Sequence, residues 1–229
     1  MNLGDIKVLT FDCYGTLIDW ESGILGALRD VLGGRGIERS DDELLALFAA
    51  VESPIQQEEF RSYREVLDLT MAELTRRLGF EPTEQEKTAL SGSLPRWKPF
   101  PDTVAALGRL AARFDLGVIS NVDDDLFAGS AAQLQAPFKW VITAQQVGSY
   151  KPSTNNFLVA LERIGRPKEQ ILHCAQSLFH DVAPARSLGL ATAWVERPSG
   201  RKGSAAPPSD ARPDLTVRDL ATLADTLLA

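Results

Sequence analysis

The stretch Ile6-Lys7-Val8-Leu9-Thr10-Phe11-Asp12-Cys13-Tyr14-Gly15-Thr16 decides the fold class. Its first half is short, β-branched and mostly apolar, the pattern of a strand buried within a sheet. Its second half is a turn, with a carboxylate at the strand's carboxyl end. Beyond it, from Trp20 to about Arg96, only helical spacing recurs. Ile24, Leu28, Val31 and Leu32 mark a first helix, stopped by Gly33-Gly34. Ser40-Asp41-Asp42-Glu43 reads as a capping box opening the helix of Leu44, Leu45, Leu47 and Phe48, which Pro54 is expected to break. Phe60, Tyr63, Val66, Leu67, Met71, Leu74 and Leu78 outline a long amphipathic helix ended at Gly79, and a further helix is expected after Thr83.

After Pro99 and Pro101 helices and strands alternate. Thr103 to Phe114 reads as a helix, Leu116 to Ile119 and Trp140 to Thr143 as strands, and Phe157 to Ile164 as a helix. Ile171 to Ala175 is a strand, Val182 to Leu188 helical, and Ala191 to Val195 a strand. A Pro-, Ser-, Gly- and Ala-rich tract from Arg197 to Arg212 reads as a flexible loop, followed by Leu215 and a closing helix from Arg218 to Leu228. Such alternation means parallel strands joined by crossovers, an α/β doubly wound sheet. The expected organisation is one α/β domain, residues 1–17 and 97–229, interrupted after its first strand by an all-helical lid over residues 18–96.

The chain has 229 residues, with 24 Lys and Arg against 31 Asp and Glu, a formal charge of −7. An acidic balance argues against nucleic acid and anionic membranes as partners. No apolar run approaches the roughly 18 residues of a spanning helix. The amino-terminal Met-Asn-Leu-Gly-Asp lacks the features of a signal peptide. Cys13 and Cys174 alone form neither a metal-ligand spacing nor a disulfide framework, so a reducing cytoplasm is the expected compartment.

Four polar signals follow successive core strands: Asp12, Ser120-Asn121, Lys151 and Asp181. Each alone has a bland reading as a turn, cap or surface residue. Together they fall at the strand ends where open parallel sheets bind ligands. Phe-Asp-Cys-Tyr-Gly-Thr-Leu, then Ile-Ser-Asn, Tyr-Lys-Pro and His-Asp-Val-Ala-Pro-Ala resemble the haloacid dehalogenase (HAD) superfamily across the whole core. The resemblance implies a Rossmann-like core with an inserted helical cap. Phosphatases of that superfamily carry a second Asp two residues after the nucleophile. Tyr14 stands there, as in the L-2-haloacid dehalogenase branch, which works without metal.

That branch implies the following roles. Asp12 attacks the carbon bearing the halide and forms an ester, which water then hydrolyses. Lys151 holds the pKa of Asp12 down. Thr16 holds Asp12, and Asp181 orients the water. Ser120, with the backbone N–H groups of Cys13 and Tyr14, binds the substrate carboxylate. Asn121 contacts the leaving halide. The implied partner is a small anionic substrate, with no cofactor; homodimerisation stays open.

Other residues carry bland readings. The Cys13 side chain is expected in the core. His173 reads as a core residue, while His180 is poised between pocket and surface, and Trp20 between packing and substrate wall. There are departures from the branch as well. Arg61 and Arg64 are uncertain candidates for its lid arginine. Gln176, Leu178 and Phe157 replace Ser, Asn and Tyr, and Leu178 and Phe157 are expected to make the pocket more apolar. Two rivals therefore stand beside the dehalogenase reading. One is a phosphatase-like hydrolase with Mg²⁺ on Asp12, the Tyr14 carbonyl and Asp181. The other is a non-catalytic family member.

Overall fold

The computed structural model describes residues 3–197 and 209–229. Strand β1 (Val8–Phe11) is followed by helices α1 (Trp20–Gly33), α2 (Asp41–Gln57), α3 (Tyr63–Arg77), α4 (Glu84–Lys87) and α5 (Ala89–Ser93). Next come α6 (Thr103–Ala111), β2 (Asp115–Ser120), α7 (Asp124–Leu134), β3 (Phe138–Thr143), α8 (Ala144–Val147), α9 (Asn155–Ile164) and β4 (Ile171–Ala175). A π turn over Leu178–Val182 leads into α10 (Ala183–Ser187), then β5 (Ala191–Val195), β6 (Leu215–Val217) and α11 (Leu220–Leu228).

The strands form one parallel sheet in the order β3-β2-β1-β4-β5-β6. The chain winds outward from β1 through β2 to β3, then returns to lay β4 on the other side of β1. That reversal opens a crevice at the carboxyl ends of β1 and β4. Alternation along the strands divides the core. Leu9, Phe11, Leu116, Val118 and Leu172 join the cap residues Leu28, Phe48 and Leu67 in one cluster. Val8, Ile119, Ile142 and Ile171 pack with Phe157, Ala160 and Ile164 in a second. An α/β core with an inserted helical cap is the observed fold.

The cap helices start where the side chains can take up orphan N–H groups. Complete capping boxes join Ser40 to Glu43, Ser62 to Glu65 and Thr83 to Glu86. Two expectations are corrected. Pro54 does not break α2, which continues to Gln57; proline removes one N–H, and packing carries the remaining turn. Helix α3 begins at Tyr63, not Phe60, because Ser62 caps it; Phe60 is exposed and lies against Tyr150 with ring centroids 5.2 Å apart. Helix α7 has no counterpart in the sequence reading. Of the tract Arg197 to Arg212, residues 198–208 lie outside the described residues. Among the described residues no helix is long and apolar enough to cross a membrane.

Candidate active site

The turn after β1 is built on Cys13, whose carbonyl accepts N–H bonds from Thr16, Leu17 and Ile18 at 3.3, 2.7 and 3.0 Å. Gly15 makes that turn possible. Its φ is +95°, a left-handed conformation, and a Cβ there would stand 3.1 Å from the Trp20 indole nitrogen. The turn brings Thr16 back over the strand end, where its hydroxyl donates to Asp12 Oδ2 at 2.8 Å. The Thr16 hydroxyl oxygen in turn accepts the Gln176 N–H at 2.9 Å, tying the β1 turn to the segment after β4.

Lys151 is buried, and its ammonium spends three donors. Nζ donates to Asp12 Oδ1 at 2.9 Å, to Asp181 Oδ1 at 2.5 Å and to the Ile119 carbonyl at 2.8 Å. Burial alone lowers its pKa, but the two carboxylates more than reverse this, and it is raised overall. Asp181 is pushed up by burial but held down to about 2 by Lys151 and by His173. Asp12 goes the other way. Burial raises its pKa above the ordinary carboxylate value, reinforced by Asp181, and Lys151 and Thr16 only partly offset this. Lys151 does pull the Asp12 pKa down, as expected, but burial outweighs the pull of an ammonium shared between two buried acids.

His173 is buried, as expected of a core residue, but it also supports the site. Its Nε2 lies 3.0 Å from Asp181 Oδ1 and its Nδ1 3.0 Å from Thr10 Oγ1. A carboxylate only accepts, so Nε2 carries the proton and Nδ1 accepts from Thr10. Phe157 packs edge-on against this imidazole, 5.0 Å between centroids. This role shows only in the structure, where Thr10 and His173 are register partners on adjacent strands.

The remaining candidates occupy varied places. Asn121 lies in the cavity wall, but its amide clamps the lysine loop, donating to the Lys151 carbonyl at 3.0 Å and accepting the Lys151 N–H at 2.7 Å. Ser120 is fully buried and its hydroxyl has no hydrogen-bond partner. An unsatisfied buried hydroxyl costs about 1–3 kcal/mol. The Cys13 side chain is core, and among the described residues no backbone carbonyl takes the Cys13 or Tyr14 N–H. Tyr14 lines the cavity, with its hydroxyl 2.9 Å from Ser130 Oγ, and burial keeps that phenol well above its usual range.

Asp12, Tyr14, Asn121, Lys151 and Asp181 border a cavity of about 560 Å³ between core and cap, whereas Cys13, Thr16, Ser120 and His173 lie behind its wall. Trp20, Gln176 and His180 line it; Phe157, Leu178, Arg61 and Arg64 do not. Phe157 and Leu178 do not make the pocket apolar as expected, because they do not reach it; its cap wall mixes Glu52, Ser53, Gln56 and Gln57 with Trp20, Phe60 and Tyr63. Arg61 pairs with Glu58 at 3.0 Å, and Arg64 with Asp125 at 2.5 Å. Sequence reasoning missed Glu52, although it sits four residues after buried Phe48 on the apolar stripe of α2. A Mg²⁺ site wants oxygen ligands in near-octahedral array. The donor set at Asp12 does not fit one, since an ammonium bridges the two carboxylates. Among the described residues no three His, Cys, Asp or Glu side chains group to hold a metal.

A Rossmann-like sheet with an inserted helical cap, and an aspartate, a lysine and a second aspartate meeting at its switch point, define a class of hydrolase. A family model described as haloacid dehalogenase-like hydrolase matches residues 6–189, and the chain belongs to that family. It is 27% identical to an (S)-2-haloacid dehalogenase of Pseudomonas putida, over 98% of this chain and 97% of that enzyme. A phosphoglycolate phosphatase of Photorhabdus laumondii is 26% identical over 82% of this chain and 79% of its own. Among solved structures, the L-2-haloacid dehalogenase PA0810 superposes with a TM-score of 0.82 at 25% identity, covering 97% of this chain and 99% of that one.

Proposed function

We propose that this hydrolase is a metal-independent dehalogenase that converts a small (S)-2-haloacid to the 2-hydroxy acid. The observation that carries the reading is the ammonium of Lys151 bridging Asp12 and Asp181, with Tyr14 where an acid would protonate a phosphate leaving group. A carboxylate oxygen of Asp12 attacks the carbon bearing the halogen in line. The carbon–halogen bond breaks, halide leaves with the electron pair, and an ester to Asp12 forms. Water then adds to the Asp12 carbonyl carbon, the bond from that carbon to the substrate oxygen breaks, and the carboxylate is restored. Asp181 orients this water. Lys151 and His173 both bind its Oδ1, so Oδ2 serves the water. Lys151 keeps both acids compatible in one buried place, and Thr16 fixes the attacking carboxylate. Ser120 with the Cys13 and Tyr14 N–H groups receives the substrate carboxylate, which satisfies the orphan hydroxyl. Asn121 retains one amide hydrogen for the halide. The proposal takes residues 18–96 as the cap that closes over this chemistry.

A halide-release assay on 2-chloropropionate, with and without EDTA, tests the reading against phosphate release from phosphate esters with Mg²⁺. EDTA-resistant halide release that disappears in Asp12→Asn is the expected result. Mg²⁺-dependent phosphate release with no halide release would overturn it.

A further inference from the structure

The cavity wall contributed by α2 carries a carboxyl that the proposed chemistry does not use. Glu52 faces the same cavity as Asp12, from the cap side. The partner of its side chain is neutral: Gln56 Nε2 donates to Oε1 at 2.9 Å. Among the described residues lining the cavity, Lys151 is the one Lys or Arg, and its three donors are already spent. The neighbouring Glu58 is paired with Arg61. The cap wall therefore offers acidic and hydrogen-bonding groups beside Trp20, Phe60 and Tyr63, and a cavity of about 560 Å³ is sized for a ligand well beyond a three-carbon acid.

We infer that Glu52 is the specificity-determining residue of the far end of the cavity, favouring substrates that end there in an ammonium or another hydrogen-bond donor over those that end in an apolar group or a second carboxylate. This rests on the reading of Asp12 as the nucleophile at the near end. A carboxylate with no cationic partner gains a strong bond from an ammonium and repels an anion. Burial pushes Glu52 up to about 7, so its charge develops between pH 6 and 8. The groups that face it across the cavity are Tyr63 and Tyr150, both raised by burial and protonated throughout, and on the core side Asp12, Lys151, Asp181 and His180. His180 is lowered by burial; Lys151 and Asp181 keep their charges. Asp123, behind Tyr63, is engaged by the α3 N–H groups. Asp12 is also raised, and a Glu52→Gln variant separates its contribution from that of Glu52.

Calorimetric titration of hexanoate, 6-aminohexanoate and adipate into the wild type and Glu52→Gln at pH 6 and 8 tests the inference. At pH 8 the wild type should bind 6-aminohexanoate about tenfold or more tighter than hexanoate, with adipate weakest. The gap should shrink to within about threefold in Glu52→Gln, and should narrow in the wild type at pH 6. Hexanoate binding as tightly at pH 8, a gap that survives in the variant, or no binding of any of the three would overturn it. Halide release from 2-bromo-6-aminohexanoate reports separately on Asp12: its absence beside an intact ammonium preference faults the dehalogenase reading and supports the role of Glu52.

Discussion

At Asp12 burial and charge pull in opposite directions, and the outcome depends on a lysine that must serve two acids at once. Removing one partner of a buried charged group leaves the others uncompensated, at about 3–5 kcal/mol. Lys151→Met should therefore lower unfolding stability by about that much at pH 7. The deficit should shrink as pH falls and the acids protonate, read from urea midpoints across pH. A variant as stable as the wild type would show that the triad is not buried as described. Glu52 gives a second test. Its folded pKa is raised to about 7 from 4.5. Its contribution is thus fully present below the unfolded value and is lost as pH rises through 7. The full shift corresponds to about 3 kcal/mol, which water in the cavity reduces to about 1–2. Glu52→Gln should gain that much on the wild type between pH 5 and 8, read from denaturation midpoints. A difference that does not change with pH contradicts the burial.

Among the elements, the first turn of α3 is clasped to the core by the carboxylate of Asp123, beside the Arg64–Asp125 ion pair. Asp123, at the start of α7, accepts the Tyr63 and Arg64 N–H groups at 2.8 and 2.9 Å, and Tyr150 donates to the Arg61 carbonyl at 2.8 Å. Asp123→Ala strips the first turn of α3 of both acceptors and should cost about 2–4 kcal/mol. Asp123→Asn, which keeps one acceptor, should fall between; equal loss in both would mean that charge, not the bonds, matters. This clasp was hidden from sequence reading because α7 itself was. Asp124–Leu134 has only Leu126, Phe127 and Leu134 as large apolar residues, and Ala, Gly and Ser fill the rest. Periodicity needs bulky residues to be visible. By contrast β4 and β5 were legible to the residue, since five-residue, mostly apolar runs bounded by turns are too short for a helix. Pro54 and Phe60 misled because proline is tolerated near a helix end and an aromatic can stack outside one.

For the whole molecule, the sheet order brings Asp12, Lys151 and Asp181 together from distant parts of the chain, and this was legible because each follows a strand. The cap wall was not, since its residues meet the core only through folding, and an acid on α2 reads as a solvated face until its neighbours are known. That wall supplies no cation for a departing halide among the described residues. Each missing leaving-group donor is worth about 2.7–4 kcal/mol of barrier. Turnover of 2-chloropropionate should accordingly be slow, some 10²-fold or more below that of an enzyme with the full donor set. Rapid halide release in a steady-state assay would show the donors to be supplied elsewhere. The central claim, an ester on Asp12, is tested most directly by a single turnover of a 2-haloacid in ¹⁸O water, followed by mass spectrometry of the Asp12 peptide and of the product. The account predicts one ¹⁸O in the Asp12 carboxylate and an unlabelled hydroxy acid; label in the product with none in Asp12 would contradict it.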